Sequence, residues 1–136
     1  MRTLIVEDDL ISRRLLQKLL APFGECHVAT NGREAVEAFS LAMVEREPYD
    51  LICLDIMLPE MDGQEALKTL RRIESEMGVS PSDEVKVFMT TALDSMKNVM
   101  EAYYRGGCTA YLVKPIEKEK LYATLREYKL IAEDSP

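Results

Sequence analysis

The sequence predicts an α/β fold in which a five-stranded parallel sheet is doubly wound, with helices on both faces. Five short apolar runs alternate along the chain with segments of helical spacing, and the connections between them are short. Parallel strands need a helical crossover between them, so this alternation indicates a parallel sheet covered on both sides. The apolar run 51–54 lies between two prolines and is typical of a strand buried on both faces.

The first half of the chain supplies two strands and two helices. Strand 3–6 stops at three acidic residues, after which the apolar spacing becomes helical until a proline and a glycine end it. A second strand covers residues 25–29. Asn31 is predicted to cap the second helix, with Glu34 in the capping-box position. The predicted apolar stripes are Ile11, Leu15, Leu16, Leu19 and Leu20 in the first helix and Ala35, Val36, Phe39, Ala42 and Met43 in the second.

The second half repeats the pattern three times. Strand 51–54 leads to a third helix capped by Asp62, with Glu65 at its third position and Gly78 at its end. The following predicted elements are a polar loop, a strand at 85–89, a fourth helix at 95–105, a strand at 109–113 and a fifth helix from 117. The predicted apolar positions are Ala66, Leu67, Leu70, Ile73 and Met77 in the third helix and Leu121, Tyr122 and Leu125 in the fifth. Residues 1–131 are expected to form one domain, and 132–136 a frayed tail.

Composition and charge restrict the class of protein. The 136 residues carry a formal net charge of -7, which argues against a nucleic-acid binder with a general basic surface. No apolar run approaches the roughly 18 residues of a membrane span. The N-terminus also turns acidic too early for a signal peptide, so we expect a cytoplasmic protein without membrane or nucleic-acid partners. The cysteines Cys26, Cys53 and Cys108 are expected to be free thiols, and His27 is the single histidine.

Four predicted strands end in residues that carry charge or a hydroxyl group. These are Glu7-Asp8-Asp9, Asp55, Thr90-Thr91-Ala92 and Lys114-Pro115. The carboxyl ends of parallel strands share one edge of the sheet, which is where ligands collect. Taken singly, each group has an ordinary explanation as a solvated loop, a strand residue or a surface charge. Their joint occurrence at four strand ends indicates a functional site.

The chemistry of these groups suits phosphoryl transfer. Clustered carboxylates repel one another, so they need a cation or raised pKa values. A set of oxygen ligands favours Mg²⁺, with Mn²⁺ as its substitute. A lysine and a hydroxyl beside such a metal suit a phosphoryl group, and a central carboxylate can be the nucleophile that accepts it.

The chain resembles the receiver domains of response regulators, in the CheY-like superfamily, over essentially its whole length. The matching segments are Leu4-Ile5-Val6-Glu7-Asp8, Leu54-Asp55-Ile56-Met57-Leu58-Pro59-Glu60-Met61-Asp62-Gly63, Met89-Thr90-Thr91-Ala92 and Ala110-Tyr111-Leu112-Val113-Lys114-Pro115. The resemblance implies a flavodoxin-like (βα)5 fold with strand order 2-1-3-4-5. It also implies that the peptide bond between Lys114 and Pro115 is often cis.

The resemblance implies a role for each group at the strand ends. Asp55 would be the phosphoacceptor, and Lys114 would pair with the phosphoryl group. Thr91 would be the switch hydroxyl, preferred to Thr90 because it directly precedes an alanine. Tyr111 would be the aromatic residue that changes rotamer with it.

The resemblance also implies a metal site. Its ligands would be Glu7, Asp8, Asp55 and the main-chain carbonyl of Met57. Asp8 would contact the metal directly and Glu7 partly through water. Asp9 would lie outside the set.

The implied function is that of a phosphorylation-activated switch in a two-component system. A histidine kinase or phosphotransfer protein would phosphorylate it. It would then act on another protein through the face of the fourth helix, the fifth strand and the fifth helix, as a monomer or a phosphorylation-dependent dimer. It would catalyse only its own phosphorylation and dephosphorylation, so we do not expect an enzyme in the usual sense. Because Met57 and Leu93 are both apolar and flank the approach of water, self-dephosphorylation is expected to be slow.

Three alternatives to a stand-alone receiver stay open. The chain could be the receiver part of a larger regulator or hybrid kinase. It could be a Mg²⁺-dependent phosphatase of the haloacid-dehalogenase type, although that family expects a second aspartate where this chain has Met57. It could also be a binding module that is never phosphorylated.

Overall fold

A five-stranded parallel sheet forms the centre of the protein, and the structure, a computed structural model, describes residues 1–92 and 107–135. The order of the strands is β2-β1-β3-β4-β5, as the resemblance implied. From β1 the chain adds β2 on one side, and it then crosses to the other side to add β3, β4 and β5. The carboxyl ends of β1 and β3, where this order switches, form the crevice in which such folds bind ligands. The strands are β1 (Thr3–Val6), β2 (Cys26–Ala29), β3 (Leu51–Asp55), β4 (Lys86–Thr91) and β5 (Ala110–Val113).

Four α-helices lie within the described residues, and we number them in chain order. They are α1 (Leu10–Leu20), α2 (Gly32–Val44), α3 (Gly63–Glu76) and α4 (Lys118–Glu127), with short 3-10 turns at Ala21–Phe23 and Pro81–Asp83. Asn31 and Asp62 cap α2 and α3 as predicted, accepting hydrogen bonds from Glu34 N and Glu65 N. The helix predicted at 95–105, together with Leu93, lies outside the described residues.

The sheet separates two apolar cores, so the fold is doubly wound as predicted. One core joins the sheet to α2 and α3 and includes Phe39, Leu54 and Leu67. The other joins it to α1 and α4 and includes Leu16. The hydroxyl of Tyr122 on α4 donates to the carbonyl of Leu19 on α1 at 2.7 Å, which fixes these two helices together. Among the described residues, no helix is long and apolar enough to cross a membrane.

The predicted boundary of β4 was wrong at its carboxyl end. The prediction ended this strand at residue 89, whereas the structure extends it through Thr90 and Thr91. Both residues keep the hydrogen-bond ladder: the carbonyl of Thr90 accepts from Ile56 N at 3.1 Å, and that of Thr91 from Lys114 N at 2.7 Å. The strand therefore carries its two hydroxyl groups on opposite faces of the sheet, because side chains alternate along a strand.

Three predicted apolar positions were also wrong. Ile11 is 79% exposed and Leu15 is 36% exposed, because both lie on the side of α1 that is turned away from the buried Leu16 and Leu20. Met77 is 51% exposed, because α3 ends one residue before it and Glu74 occupies the buried position instead. The three cysteines are free thiols, as predicted. The boundary between domain and tail at residue 131 stays a prediction.

Candidate functional site at the carboxyl ends of the strands

Three carboxylates meet at the ends of β1 and β3. One oxygen from each of Glu7, Asp8 and Asp55 lies within 4.8 Å of the others. Glu7 is 0% exposed and Asp55 is 5% exposed, whereas Asp8 is exposed. Two of the three negative charges are therefore largely removed from water, and the third faces solvent.

Lys114 neutralises part of this charge. Its ammonium donates to Asp55 Oδ2 at 3.0 Å and lies 2.8 Å from Glu7 Oε2. Burial by itself would lower the pKa of Lys114, but the contacts with Glu7 and Asp55 outweigh it and the pKa is raised. The Lys114–Pro115 peptide bond is cis, as the resemblance implied.

Of the two buried carboxylates in the cluster, Glu7 has fewer hydrogen bonds than Asp55 among the described residues. Burial raises the pKa of its carboxyl group to about 7, since the charge of Asp55 adds to this effect and Lys114 only partly opposes it. Its Oε1 accepts a long hydrogen bond of 3.2 Å from Asp9 N. Its Oε2 has the ion pair with Lys114 but no aligned hydrogen bond among the described residues. A buried carboxylate oxygen in this state is a good ligand for a cation.

The donor set fits a hard divalent cation. A cavity of about 500 Å³ opens beside Asp8 and is also lined by Met57 and Asp62. Met57 N donates to Asp55 Oδ1 at 3.0 Å, which orients the central carboxylate. Asp9 has a different role, because its side chain caps α1 by accepting from Ser12 N at 2.9 Å. All the candidate ligands are oxygen atoms, the kind that Mg²⁺ prefers. The role of the Met57 carbonyl stays a prediction.

The two residues expected to form the switch share one face of the sheet. Met89 pairs with Tyr111, and Thr91 lies two residues beyond Met89 in the same alternation. Thr91 is buried, and its hydroxyl donates to the carbonyl of Ala92 at 3.2 Å. Tyr111 is 39% exposed. The structure thus places Thr91 and Tyr111 on neighbouring strands, with the Thr91 hydroxyl bonded locally.

Two residues near the site were given no role from the sequence. The Arg13 guanidinium donates to the carbonyl of Glu7 at 3.2 Å, and no sequence signal marked it beyond its place in the first helix. Thr90 was set aside in favour of Thr91, yet it is the Cα partner of Asp55. Extending β4 by two residues would have placed Thr90 and Thr91 on opposite faces, whereas the pairing of Thr90 with Asp55 depends on the register of β4 against β3.

Comparison with known proteins agrees with this geometry. The family described as response regulator receiver domain matches residues 3–126. The chain is 34% identical over 125 residues to the polar-differentiation response regulator DivK of Brucella anthropi, covering 92% of this chain and 93% of that protein. It is 35% identical over 125 residues to the transcriptional regulatory protein ZraR of Klebsiella oxytoca, covering 91% of this chain but only 25% of that protein.

A solved structure supports the same assignment. The receiver domain of the histidine kinase CKI1 from Arabidopsis thaliana, complexed with Mg²⁺ and BeF₃⁻, is similar with a TM-score of 0.79 and 27% sequence identity. The match covers 96% of this chain and 90% of that one. The fold and the acidic site define a receiver domain of two-component signalling, a class found both in response regulators and in histidine kinases. This chain belongs to the response regulator receiver domain family.

Proposed function

We propose that the protein is a phosphorylation-activated signalling switch whose phosphoacceptor is Asp55. The observation that carries the proposal is the position of this carboxylate. It is 5% exposed at the end of β3, with Lys114 Nζ at 3.0 Å and the acidic pair Glu7 and Asp8 clustered beside it. An ordinary strand-terminating aspartate would have water around it and no convergent charges.

The proposed reaction is the transfer of a phosphoryl group from a phosphohistidine of a histidine kinase or phosphotransfer protein. One oxygen of Asp55 attacks phosphorus, a P–O bond forms and the P–N bond to the histidine ring breaks. The ring nitrogen that leaves keeps the electron pair and then takes up a proton. Met57 N donates to Asp55 Oδ1 and Lys114 Nζ donates to Oδ2, so the carboxylate is held in one orientation for the attack.

The remaining residues stabilise the charge that develops. A bound Mg²⁺ would be held by Asp8, Asp55 and Glu7 and would neutralise the phosphoryl oxygens. Lys114, whose ammonium already contacts Asp55 Oδ2, supplies a second positive charge and orients the phosphoryl group. The hydroxyl of Thr91 turns from the Ala92 carbonyl toward the new phosphoryl group, and Tyr111 takes the space that Thr91 leaves. That rearrangement biases the exposed surface around β5 toward a second conformation, which a protein partner recognises.

The test is phosphorylation by a small donor. The purified protein is incubated with acetyl phosphate and Mg²⁺, and its intact mass is measured. We expect one phosphoryl adduct on the wild type and on the control Asp50→Asn, whose carboxylate accepts from Arg2 N far from the site. We expect none on Asp55→Asn. An adduct that survives Asp55→Asn, or a wild type that gains none, would falsify the proposal.

A second assay separates this function from that of a phosphatase. A Mg²⁺-dependent phosphatase would hydrolyse a generic phosphate ester such as para-nitrophenyl phosphate through many turnovers. The proposed switch has no such turnover, because it acts only on its own aspartyl phosphate. Sustained hydrolysis that depends on Asp55 would replace the signalling role with the enzymatic one.

A further inference from the structure

A second threonine lies at the carboxyl end of β4, on the face opposite to that of Thr91. Thr90 is the Cα partner of Asp55 on β3 and of Leu112 on β5. Paired residues of parallel strands point to the same face of a sheet, so the Thr90 side chain shares a face with Asp55. Lys114 lies two residues beyond Leu112 and continues the same alternation.

The hydroxyl of Thr90 is buried and has no hydrogen-bond partner within residues 1–92 and 107–135. Thr90 is 1% exposed, and its Oγ1 has no hydrogen-bond partner among the described residues. A hydroxyl in this state destabilises the fold, whereas valine has the same shape without that cost. An unsatisfied buried polar group therefore calls for an explanation, and one explanation is a partner that arrives during function.

The ammonium group of Lys114 is such a partner, because the lysine side chain crosses the sheet edge near Thr90. Lys114 follows β5, but its ion-pair partners Asp55 and Glu7 belong to the ends of β3 and β1. Neighbouring strands are about 4.8 Å apart, so the lysine side chain has to pass over the end of β4 to reach them. Thr90 occupies the end of β4 on that same face. An ammonium group has three donors and a hydroxyl group can both accept and donate, so the two groups are chemically matched.

We propose that Thr90 is a positioning residue for the phosphorylated site, with its hydroxyl bridging the Lys114 ammonium and the phosphoryl group on Asp55. The inference rests on the proposed phosphorylation of Asp55. The phosphoryl group brings a charge of about -1.5 to -2 to this position and draws the ammonium away from Glu7. The Thr90 hydroxyl then accepts from Lys114 and donates to a phosphoryl oxygen. The hydroxyl groups of Thr90 and Thr91 thus both donate to the phosphoryl group, one from each face of β4.

The chain provides a matched control. Thr3 at the start of β1 is also 1% exposed, and its hydroxyl likewise has no partner among the described residues. It lies at the amino end of the sheet, away from the carboxylates. Thr3→Val therefore makes the same chemical change in the same kind of environment without touching the site.

The experiment compares Thr90→Val, Thr90→Ser and Thr3→Val in the full chain. Phosphorylation by acetyl phosphate with Mg²⁺ is followed by intact mass, and the thermal midpoint of each unphosphorylated protein is recorded. We expect Thr90→Val to be phosphorylated about ten-fold more slowly, as for the loss of one hydrogen bond to charged groups. Its thermal midpoint is expected to stay the same or rise, because an unsatisfied hydroxyl is removed. Thr90→Ser should restore the rate, and Thr3→Val should match the wild type.

A spectroscopic measurement gives a second readout. In the ¹⁵N-labelled wild type, the Lys114 ammonium resonance should shift on phosphorylation and become protected from exchange with water, and this protection should be lost in Thr90→Val. Thr90→Ala replaces Thr90→Val if the valine variant does not fold. Equal rates for Thr90→Val and the wild type, equal slowing by Thr3→Val, or no recovery with Thr90→Ser would each overturn the inference. A wild type that takes up no phosphoryl group fails the proposed function itself, and the inference with it.

Discussion

Glu7 and Glu74 are both almost completely buried glutamates, but their surroundings differ. Glu74 is 2% exposed, and both its oxygens are bonded: Oε1 accepts from Arg71 Nη1 at 2.6 Å and Oε2 from Val85 N at 2.7 Å. Glu7 is 0% exposed, and within the described part of the chain its Oε2 has an ion pair with Lys114 but no hydrogen bond. Glu7 also lies beside another carboxylate, that of Asp55, and burial together with this neighbouring charge raises the pKa of Glu7 to about 7.

The difference separates a structural charge from a functional one. Burial is nearly the same for both residues, so burial alone does not mark a site. Glu74 lies in the other half of the molecule, where Arg71 also donates to the carbonyl of Gly107, so that the pair links α3 to the segment before β5. The protein has satisfied this charge completely. At Glu7 the charge is left partly unsatisfied, which is the condition under which a cation gains most by binding.

The largest expected effect comes from breaking the satisfied pair. Arg71→Met leaves the carboxylate of Glu74 buried without its cation, and we expect a loss of about 3–5 kcal/mol in the free energy of unfolding. Urea denaturation followed by circular dichroism measures it. The control is Arg72→Met, because the neighbouring Arg72 is 68% exposed and lies 3.8 Å from an equally exposed Glu76. We expect that variant to stay within roughly 0.5 kcal/mol of the wild type. Similar losses in the two variants would contradict the structural role given to Glu74.

A smaller effect is the pH dependence of the unsatisfied charge. The Glu7 carboxyl titrates near 4.5 in the unfolded chain and near 7 in the folded protein. Between these values the folded state binds more protons, so the free energy of unfolding contributed by Glu7 falls as pH rises. The total fall is roughly 3–4 kcal/mol, and it is complete about one pH unit above the folded pKa of about 7. Urea titrations between pH 4.5 and 8, with a chelator present, are compared between the wild type and Glu7→Gln.

The substitutions Glu7→Gln and Glu74→Gln should change the free energy of unfolding in opposite directions, so together they test the difference between the two glutamates directly. At pH 8 without divalent cations, Glu7→Gln is expected to be more stable than the wild type, since it removes a desolvated and repelled charge. Glu74→Gln is expected to be less stable, since it weakens the bond to Arg71. Two changes of the same sign would show that the environments of Glu7 and Glu74 are equivalent.

The smallest expected effect concerns magnesium. A cation that binds only the folded state raises the free energy of unfolding, by about 1.4 kcal/mol at ten times its dissociation constant. We expect this rise in the wild type and its loss in Asp8→Asn, measured as the shift in thermal midpoint on adding MgCl₂. Asp9→Asn is the control, because Asp9 caps α1 and asparagine caps equally well. If Asp9→Asn loses the shift and Asp8→Asn keeps it, the assignment of the ligands is reversed.

Much of this protein could be predicted from sequence because the signals are local. Asn31 and Asp62 cap helices because an asparagine or aspartate oxygen bonds a backbone N–H three residues on. The alternation of apolar runs and helical stripes gave the parallel sheet, and parallel strands must bring their carboxyl ends together. The residues Glu7, Asp55 and Lys114 therefore emerged as a group before any contact was known.

Other features depend on contacts between residues distant in sequence, and only the tertiary structure decided them. Glu74 is buried where Arg71 and the backbone N–H of Val85, just before β4, bond its two oxygens, and no periodic pattern predicts a glutamate there. Ile11 is exposed because α1 packs against the sheet through Leu16 and Leu20, and this packing sets the rotation of the helix. The faces of Thr90 and Thr91 follow from the register of β4 against β3, which places Thr90 opposite Asp55. Register and helix rotation are choices between packings of similar local energy, so they are settled only when both partners are in place.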